Sequence, residues 1–189
     1  GSAYRVLSEY LADMPEVREK VNQYRMHLFP KLEQLMRDCE NTSLENTLKP
    51  AIEYVIENYD LIMLRLLKTS DIKNSLILRE QIIDNVECAD FVISPLRGGD
   101  RGIHSTEWDF KGSKMVTKRT IFISSNYYPK PTAEALRHTL VHEIIHDFFQ
   151  GIPVGKRYRK PAHKINKPLN EGITDFLTRR ALGYLHYSN

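Results

Sequence analysis

Titratable side chains are concentrated in one apolar stretch, TLVHEIIHDFFQG, which runs from Thr139 to Gly151. Within it His142 and His146 are four residues apart, and Glu143 follows the first histidine. On an α-helix two residues four apart lie on one face, so the two imidazoles can bind one Zn²⁺ ion. The glutamate lies further round the helix, where it can exchange protons with a water molecule. This HExxH pattern predicts a zinc site suited to hydrolysis, and two structural histidines are the alternative interpretation.

A second group of acidic side chains follows at a distance suited to a third metal ligand. The segment KPLNEGITDFLTRRALGY, residues 167–184, predicts a helix with Pro168 in its first turn and Gly183 as its stop. Glu171 and Asp175 are four residues apart and share one face of that helix. One carboxylate can therefore bind the metal while the other orients a ligand histidine. A pair of solvated acids on a surface helix is the alternative.

Together the two motifs resemble those of the glutamate-ligand zincins, whose second helix carries Asn-Glu-x-x-Ser/Thr-Asp, written here as NEGITD. The resemblance implies a zincin-like metallopeptidase that holds one Zn²⁺ per chain. It implies His142, His146 and Glu171 as the zinc ligands and Glu143 as the general base. Asp175 is expected beside a ligand histidine and is also the alternative third ligand.

The chain length, the letters HEIIH and the helical N-terminal half make the chain similar to a narrower group. These are the bacterial zinc proteases of the PipA, GogA and GtgA type, which are delivered by type III secretion; HEIIH also occurs in the effector NleC. The resemblance implies cleavage of the host NF-κB subunits of the Rel family, RelA and RelB, in the host cytoplasm and nucleus, which suppresses inflammatory signalling. A peptidase with another protein substrate and a non-catalytic binding module with a structural metal remain the alternatives.

Other polar residues near the motifs could serve a peptidase site. The oxyanion that develops during peptide hydrolysis usually needs a hydrogen-bond donor besides the metal. The sequence offers five candidate donors, and it does not choose among them: Tyr158, His163, Tyr184, His186 and Tyr187.

The connection between the two motifs, residues 151–167, carries six lysine and arginine side chains and no acidic one. Positive charge beside a cleft attracts substrates with negative side chains. Lys156, Arg157, Arg159 and Lys160 are therefore candidate substrate-binding residues, and a solvated loop is the alternative.

The elements that must position these motifs differ between the two halves of the chain. In residues 3–87 apolar positions recur three and four apart, which predicts helices. Pro15 and Pro30 are expected to begin or break helices. A long helix is predicted from Pro50, near its start, to about Ser70.

Strands are predicted after Cys88, in ADFVISP and around Thr120 to Ser124. The glycine-rich segment between them, residues 96–114, is expected to be a hairpin or a mobile loop. The strand at residues 119–125 is expected beside the cleft, where an extended substrate could pair with it. The fold class is therefore α+β, a mostly helical zincin-like domain over residues 1–189 with a small β-sheet, whose strands and metal-binding helices occupy about 88–189.

Length and composition exclude several classes of protein. A chain of 189 residues with 41% hydrophobic content is sufficient for one compact domain, which we expect to be a monomer. The net charge of +3 is too small to argue for direct nucleic-acid binding, and no stretch reaches the roughly 18 apolar residues of a membrane span. Cys39 and Cys88 have neither zinc-knuckle nor disulfide-framework spacing, and whether they pair stays open.

Overall fold

The computed structural model describes residues 1–85, 88–150 and 171–183, apart from the side chains of Trp108 and residues 114–116. The described part is α+β, as the sequence predicts. No helix in these ranges is long and apolar enough to cross a membrane. The helices are α1 (Ser2–Tyr10), α2 (Pro15–Cys39), α3 (Glu45–Glu57), α4 (Tyr59–Thr69), α5 (Leu76–Asp84), α6 (Ala133–Phe148) and α7 (Glu171–Ala181), and the strands are β1 (Asp90–Ser94), β2 (Gly102–Lys111) and β3 (Lys114–Ser124).

The two prolines of helix α2 differ in their effect on the helix. Pro15 begins the helix, as predicted, because its fixed φ suits the first turn. Pro30 lies inside the helix and does not break it, contrary to the prediction. Leu28 and Leu32 on either side are fully buried, and Pro30 is exposed. Packing of the apolar face therefore outweighs the roughly 3 kcal/mol cost of an internal proline.

The single helix predicted from Pro50 to Ser70 is two helices. The first, α3, begins five residues earlier, at Glu45, and ends at Glu57, so Pro50 lies in its second turn. The break comes at Asn58, whose side-chain amide donates a hydrogen bond to the carbonyl of Tyr54 at 2.9 Å. An asparagine side chain that bonds the preceding turn offers the backbone an alternative to continuing the helix.

The described strands form a three-stranded sheet in the order β1-β3-β2. Strand β3 pairs with β1 in parallel and with β2 antiparallel. The glycine-rich segment is therefore a hairpin and contains β2, with Gly112 at φ +67° in the turn. From Thr120 to Ile123 strand β3 is paired on both sides. It has no free edge there, so the expectation that a substrate adds to this strand is wrong.

Helix α6 lies at the centre of the described fold, in contact with α3, with α7 and with strand β2. One face of the sheet contributes Ile121 and Ile123, both fully buried. Leu140 and Ile145 of α6 are also fully buried. Packing against other elements of the protein therefore holds the helix with the HExxH motif on several sides.

The two cysteines lie in the same buried interior. Cys39 and Cys88 are both buried free thiols, which answers the open question of pairing.

Candidate metal centre

Local signals place helix α6 where the sequence predicts it. The hydroxyl of Thr132 accepts a hydrogen bond from the amide of Ala135 at 3.1 Å and so caps the first turn. The helix ends at Phe148. A capped, well-packed helix holds the two histidines of the motif in fixed positions.

His142 and His146 meet Glu171 across the contact between α6 and α7. His142 Nε2 lies 2.9 Å from Glu171 Oε2, and His146 Nε2 lies 2.9 Å from Glu171 Oε1. The donor atoms of the three residues all lie within 4.8 Å of one another. The two imidazole rings pack edge to face, with centroids 4.9 Å apart. The structure thus brings together the three side chains that the sequence suggested as ligands, and they could hold a metal ion.

The surroundings of these groups fit a metal ion. His146 Nε2 is buried, and apart from its 2.9 Å approach to Glu171 Oε1 it has no polar partner in the described chain. Buried polar atoms are almost always satisfied, so this nitrogen is available to a ligand. Burial lowers the pKa of His146 to about 4, which keeps its imidazole neutral at pH 7. Two imidazoles and one carboxylate match the ligands of catalytic zinc sites.

The surroundings of Glu171 favour the ionised form of its carboxyl group. Burial alone would raise its pKa, but the neighbouring His146 and His142 outweigh that effect and lower it. The Glu171 side chain is still 72% exposed, so the mouth of the site at α7 is open to solvent. A metal ion could enter from this side without unfolding of the surrounding helices.

Glu143 lies against the sheet, and it is also close enough to Glu171 of α7 for the two charges to interact. It is buried, and its helix packs closely on strand β2 at Gly102. A Cβ atom added at Gly102 would lie 2.7 Å from Cγ2 of Thr139 and 3.3 Å from Cγ of Glu143. Burial raises the pKa of Glu143 to about 8, with a further contribution from the negative charges of Glu171 and Asp100.

Asp175 has a partner that differs from the predicted one. Its Oδ1 atom lies 2.9 Å from His138 Nε2, and its Oδ2 atom lies 3.1 Å from Arg179 Nε. In the described chain no hydrogen bond joins it to either histidine of the motif. Sequence reasoning missed His138, although its position four residues before His142 places it on the same helix face.

Asp147, which follows the second histidine of the motif, is a further residue that sequence reasoning did not single out. Its side chain is fully buried. Burial alone would raise its pKa, but a hydrogen bond with His104 and the charge of Arg119 outweigh this effect and lower it. The sequence offered one signal for Asp147, which is an acidic residue at a position of α6 that the helical pattern assigns to the apolar face. Four groups surround the carboxylate: Tyr24 Oη at 2.7 Å, the Ala89 amide at 2.9 Å, His104 Nε2 at 2.8 Å and Arg119 Nε at 3.4 Å.

The remaining predicted site residues lie outside the described ranges. This applies to the candidate oxyanion donors Tyr158, His163, Tyr184, His186 and Tyr187 and to the candidate substrate-binding residues Lys156, Arg157, Arg159 and Lys160.

Comparison with known proteins adds no relative from which a function could be taken: no protein-family model, curated protein or solved structure matches this chain. The functional argument therefore depends on the geometry of the site, and the resemblance of the two motifs to those of zincins stays a prediction.

Proposed function

We propose that the chain is a zinc-dependent endopeptidase of the zincin type. The observation that carries the proposal is the convergence of His142, His146 and Glu171 on one small volume, with Glu143 on the same helix as the two histidines. The three protein ligands found among the described residues leave a position for water and substrate, whereas a structural zinc site usually takes four protein ligands. This difference favours an enzyme over a binding module with a structural metal.

In the proposed reaction His142, His146 and Glu171 hold the ion. Bound zinc supplies Lewis acidity, which polarises a peptide carbonyl and makes water a stronger nucleophile at neutral pH. Glu143 takes a proton from the attacking water and delivers a proton to the departing amine nitrogen. Neither described cysteine competes as a nucleophile, because Cys39 and Cys88 are both buried.

The surroundings of Glu143 link its role to metal loading. Without bound cations its pKa of about 8 leaves the carboxyl group mostly protonated at pH 7, and a protonated carboxyl group is not a base. Glu143 ionises more readily once positive charge is bound beside Glu171, since the negative charge of Glu171 is part of what raises its pKa. The general base is therefore expected to be ionised to a greater extent in the loaded protein than in the metal-free protein.

The free edge of strand β2 is where we propose that an extended substrate pairs. Strand β2 is at the edge of the described sheet and runs along α6, with Gly102 beside Glu143 and His104 beside Asp147. An extended peptide can add to such an edge through main-chain hydrogen bonds. Substrate pairing on β2 would direct a peptide past the metal-binding helix, and it replaces the pairing on β3 that the sequence suggested.

For the substrate we propose the Rel-family subunits of NF-κB, cleaved inside host cells by a secreted bacterial effector. This part is supported by the likeness of the chain length, the HEIIH motif and the helical N-terminal half to proteases of the PipA, GogA and GtgA type. The alternative, a peptidase with another protein substrate, uses the same metal centre. The substrate and the chemistry therefore have to be tested separately.

The test is incubation of zinc-loaded protein with a purified Rel-family DNA-binding domain and with unrelated folded proteins, followed by mass determination of any fragments. Chelation of the metal should stop cleavage, and re-addition of zinc should restore it. His27→Ala is a matched control, because His27 is an exposed histidine on α2. Fragments from other proteins only would remove the Rel assignment. An absence of fragments from all of them would also remove the Rel assignment and would leave the peptidase proposal without a substrate among the proteins tested.

A further inference from the structure

The metal-binding face of α6 extends one turn beyond the HExxH motif. His138, His142 and His146 follow one another at intervals of four residues. On α7, Asp175 lies one turn after Glu171 and is 2.9 Å from His138 Nε2. The rings of His138 and His142 are near parallel, with an interplanar angle of 28° and centroids 6.2 Å apart. Three histidines of one helix thus face two carboxylates of the other.

We propose that His138, His142 and Asp175 form a second metal-binding set, which overlaps the first set in His142. The donor atoms of these three residues also lie within 4.8 Å of one another. Two imidazole nitrogens and a carboxylate oxygen suit zinc and the neighbouring divalent transition metals. This inference goes beyond the proposed peptidase function, and it does not depend on catalysis.

Sharing of His142 makes the two sets compete. A ring nitrogen has one lone pair, so the nitrogen of His142 that binds one ion is not available to a second ion. Where both sets use the same nitrogen of His142, an ion in the second set therefore withdraws His142 from the first set. The consequence is that one chain cannot complete both three-residue sets at once through the same atom.

The first set should have the higher affinity. Glu171 directs one oxygen to each of two histidines, at 2.9 Å in both cases. Asp175 divides its oxygens between His138 and the guanidinium of Arg179, which lies 3.1 Å from Oδ2. The positive charge of Arg179 opposes a cation at this position. We therefore expect the second set to fill when the first is damaged.

Calorimetric titration of the His146→Ala variant with Zn²⁺ tests the second set directly. We expect one ion to bind about 10- to 100-fold more weakly than the first ion binds to the unaltered protein. Addition of His138→Ala or Asp175→Asn to His146→Ala should weaken binding by at least about tenfold more, since each removes a ligand. The matched control adds the exposed His27→Ala instead and should leave the affinity unchanged.

If circular dichroism shows that His146→Ala does not fold, the same titrations are made in a second variant, Glu171→Gln. In Glu171→Gln the first set also loses a ligand while His138, His142 and Asp175 remain. The inference is overturned if the folded background binds no zinc, or if His138→Ala and Asp175→Asn leave its affinity unchanged. These readouts report binding only, so an inactive peptidase would not affect them.

Discussion

The titratable side chains of helix α6 have different surroundings although they are close neighbours in sequence. Successive residues of a helix point about 100° apart, so His142 and His146 face α7 while Glu143 and Asp147 face the sheet. The histidines meet a carboxylate that is open to solvent, and the two acids are buried. The chemistry available to each residue follows from the element that it faces.

Glu143→Gln should abolish proteolysis and leave zinc binding largely intact. In the proposed reaction the carboxylate moves protons and does not hold the ion, so we expect a loss of about 10²- to 10⁴-fold in cleavage rate. Elemental analysis should still show close to one zinc per chain, and His146→Ala is the contrasting variant that should lose metal as well. Appreciable turnover by a folded Glu143→Gln protein would assign proton transfer to another residue.

The thiol of Cys88 should resist alkylation in the folded protein. Burial, with the nearby charge of Asp147 as a further cause, raises its pKa to about 12. Since the thiolate is the reactive form, almost none is present at pH 8. Burial also raises the pKa of Cys39. Mass spectrometry after iodoacetamide treatment should show no modified cysteine in the native protein and two in guanidinium chloride. Rapid modification of native protein would contradict the buried positions.

At the scale of elements, the close contact between β2 and α6 depends on a glycine. Substitution Gly102→Ala would bring a methyl group to 2.7 Å from Cγ2 of Thr139, beside Glu143. Overpacking of this kind typically costs about 1–3 kcal/mol, and here it should also displace the proposed base. We expect a lower free energy of unfolding, measured in urea, and a lower cleavage rate.

A compensating substitution provides the control for Gly102→Ala. Thr139→Ser removes the clashing methyl group and keeps a hydroxyl that can donate to the carbonyl of Ala135, as Thr139 does at 3.0 Å. The double variant should therefore recover part of the lost stability and activity. If Thr139→Ser gives no recovery, the effect of Gly102→Ala has another origin.

Asp147 connects α6 to four other parts of the fold, and its loss should lower stability. Asp147→Asn leaves the guanidinium of Arg119 without its buried carboxylate, which typically costs about 3–5 kcal/mol. Urea unfolding at pH 7 measures this cost. Glu107→Gln, an exposed position on β2, is the control and should have little effect.

The stabilisation from Asp147 should depend on pH with a defined sign. Folding lowers the pKa of Asp147, so its contribution is fully present above the ordinary carboxyl value of about 3.9. It is lost as the pH falls through the lower folded value. The difference in unfolding free energy between the unaltered protein and Asp147→Asn should therefore shrink below about pH 4. A difference that grows with acidity would contradict the ionised state of Asp147.

At the scale of the whole molecule, the helical half and the metal centre share one core. A single cluster of buried apolar residues runs from Leu7 on α1 to Leu182 after α7. Tyr24 of α2 also donates a hydrogen bond to Asp147, beside the metal site. The helices of the first half therefore support α6, and their outer surface is available for contact with a protein substrate.

Short peptides that span the cleavage site should be poorer substrates than the intact Rel-family domain, because they cannot reach such a surface. Charge reversal at Lys156 and Arg157, in the basic segment known from sequence alone, should slow cleavage most at low salt. Steady-state rates for peptide and domain at two salt concentrations check both expectations. Equal rates for peptide and domain would remove the extended contact surface.

The sequence by itself determined the features that depend on neighbouring residues. The four-residue interval of the HExxH motif placed His142 and His146 on one face of a helix, as α6 shows. The residues of the following helix made Glu171 and Asp175 both candidates, and the resemblance to zincins implied Glu171 as the ligand. Local steric and hydrogen-bonding preferences act within a few residues, so they can be read before the fold is known.

Only the tertiary structure decided the features that join distant segments. Nothing near Asp175 in the sequence indicates that its partner is His138, 37 residues away, and nothing near Asp147 indicates Tyr24, 123 residues away. The central position of β3 and the unbroken helix at Pro30 likewise differ from the predictions. These outcomes depend on which surfaces pack together. Packing can override local preference because it sums many weak contacts between distant parts of the chain.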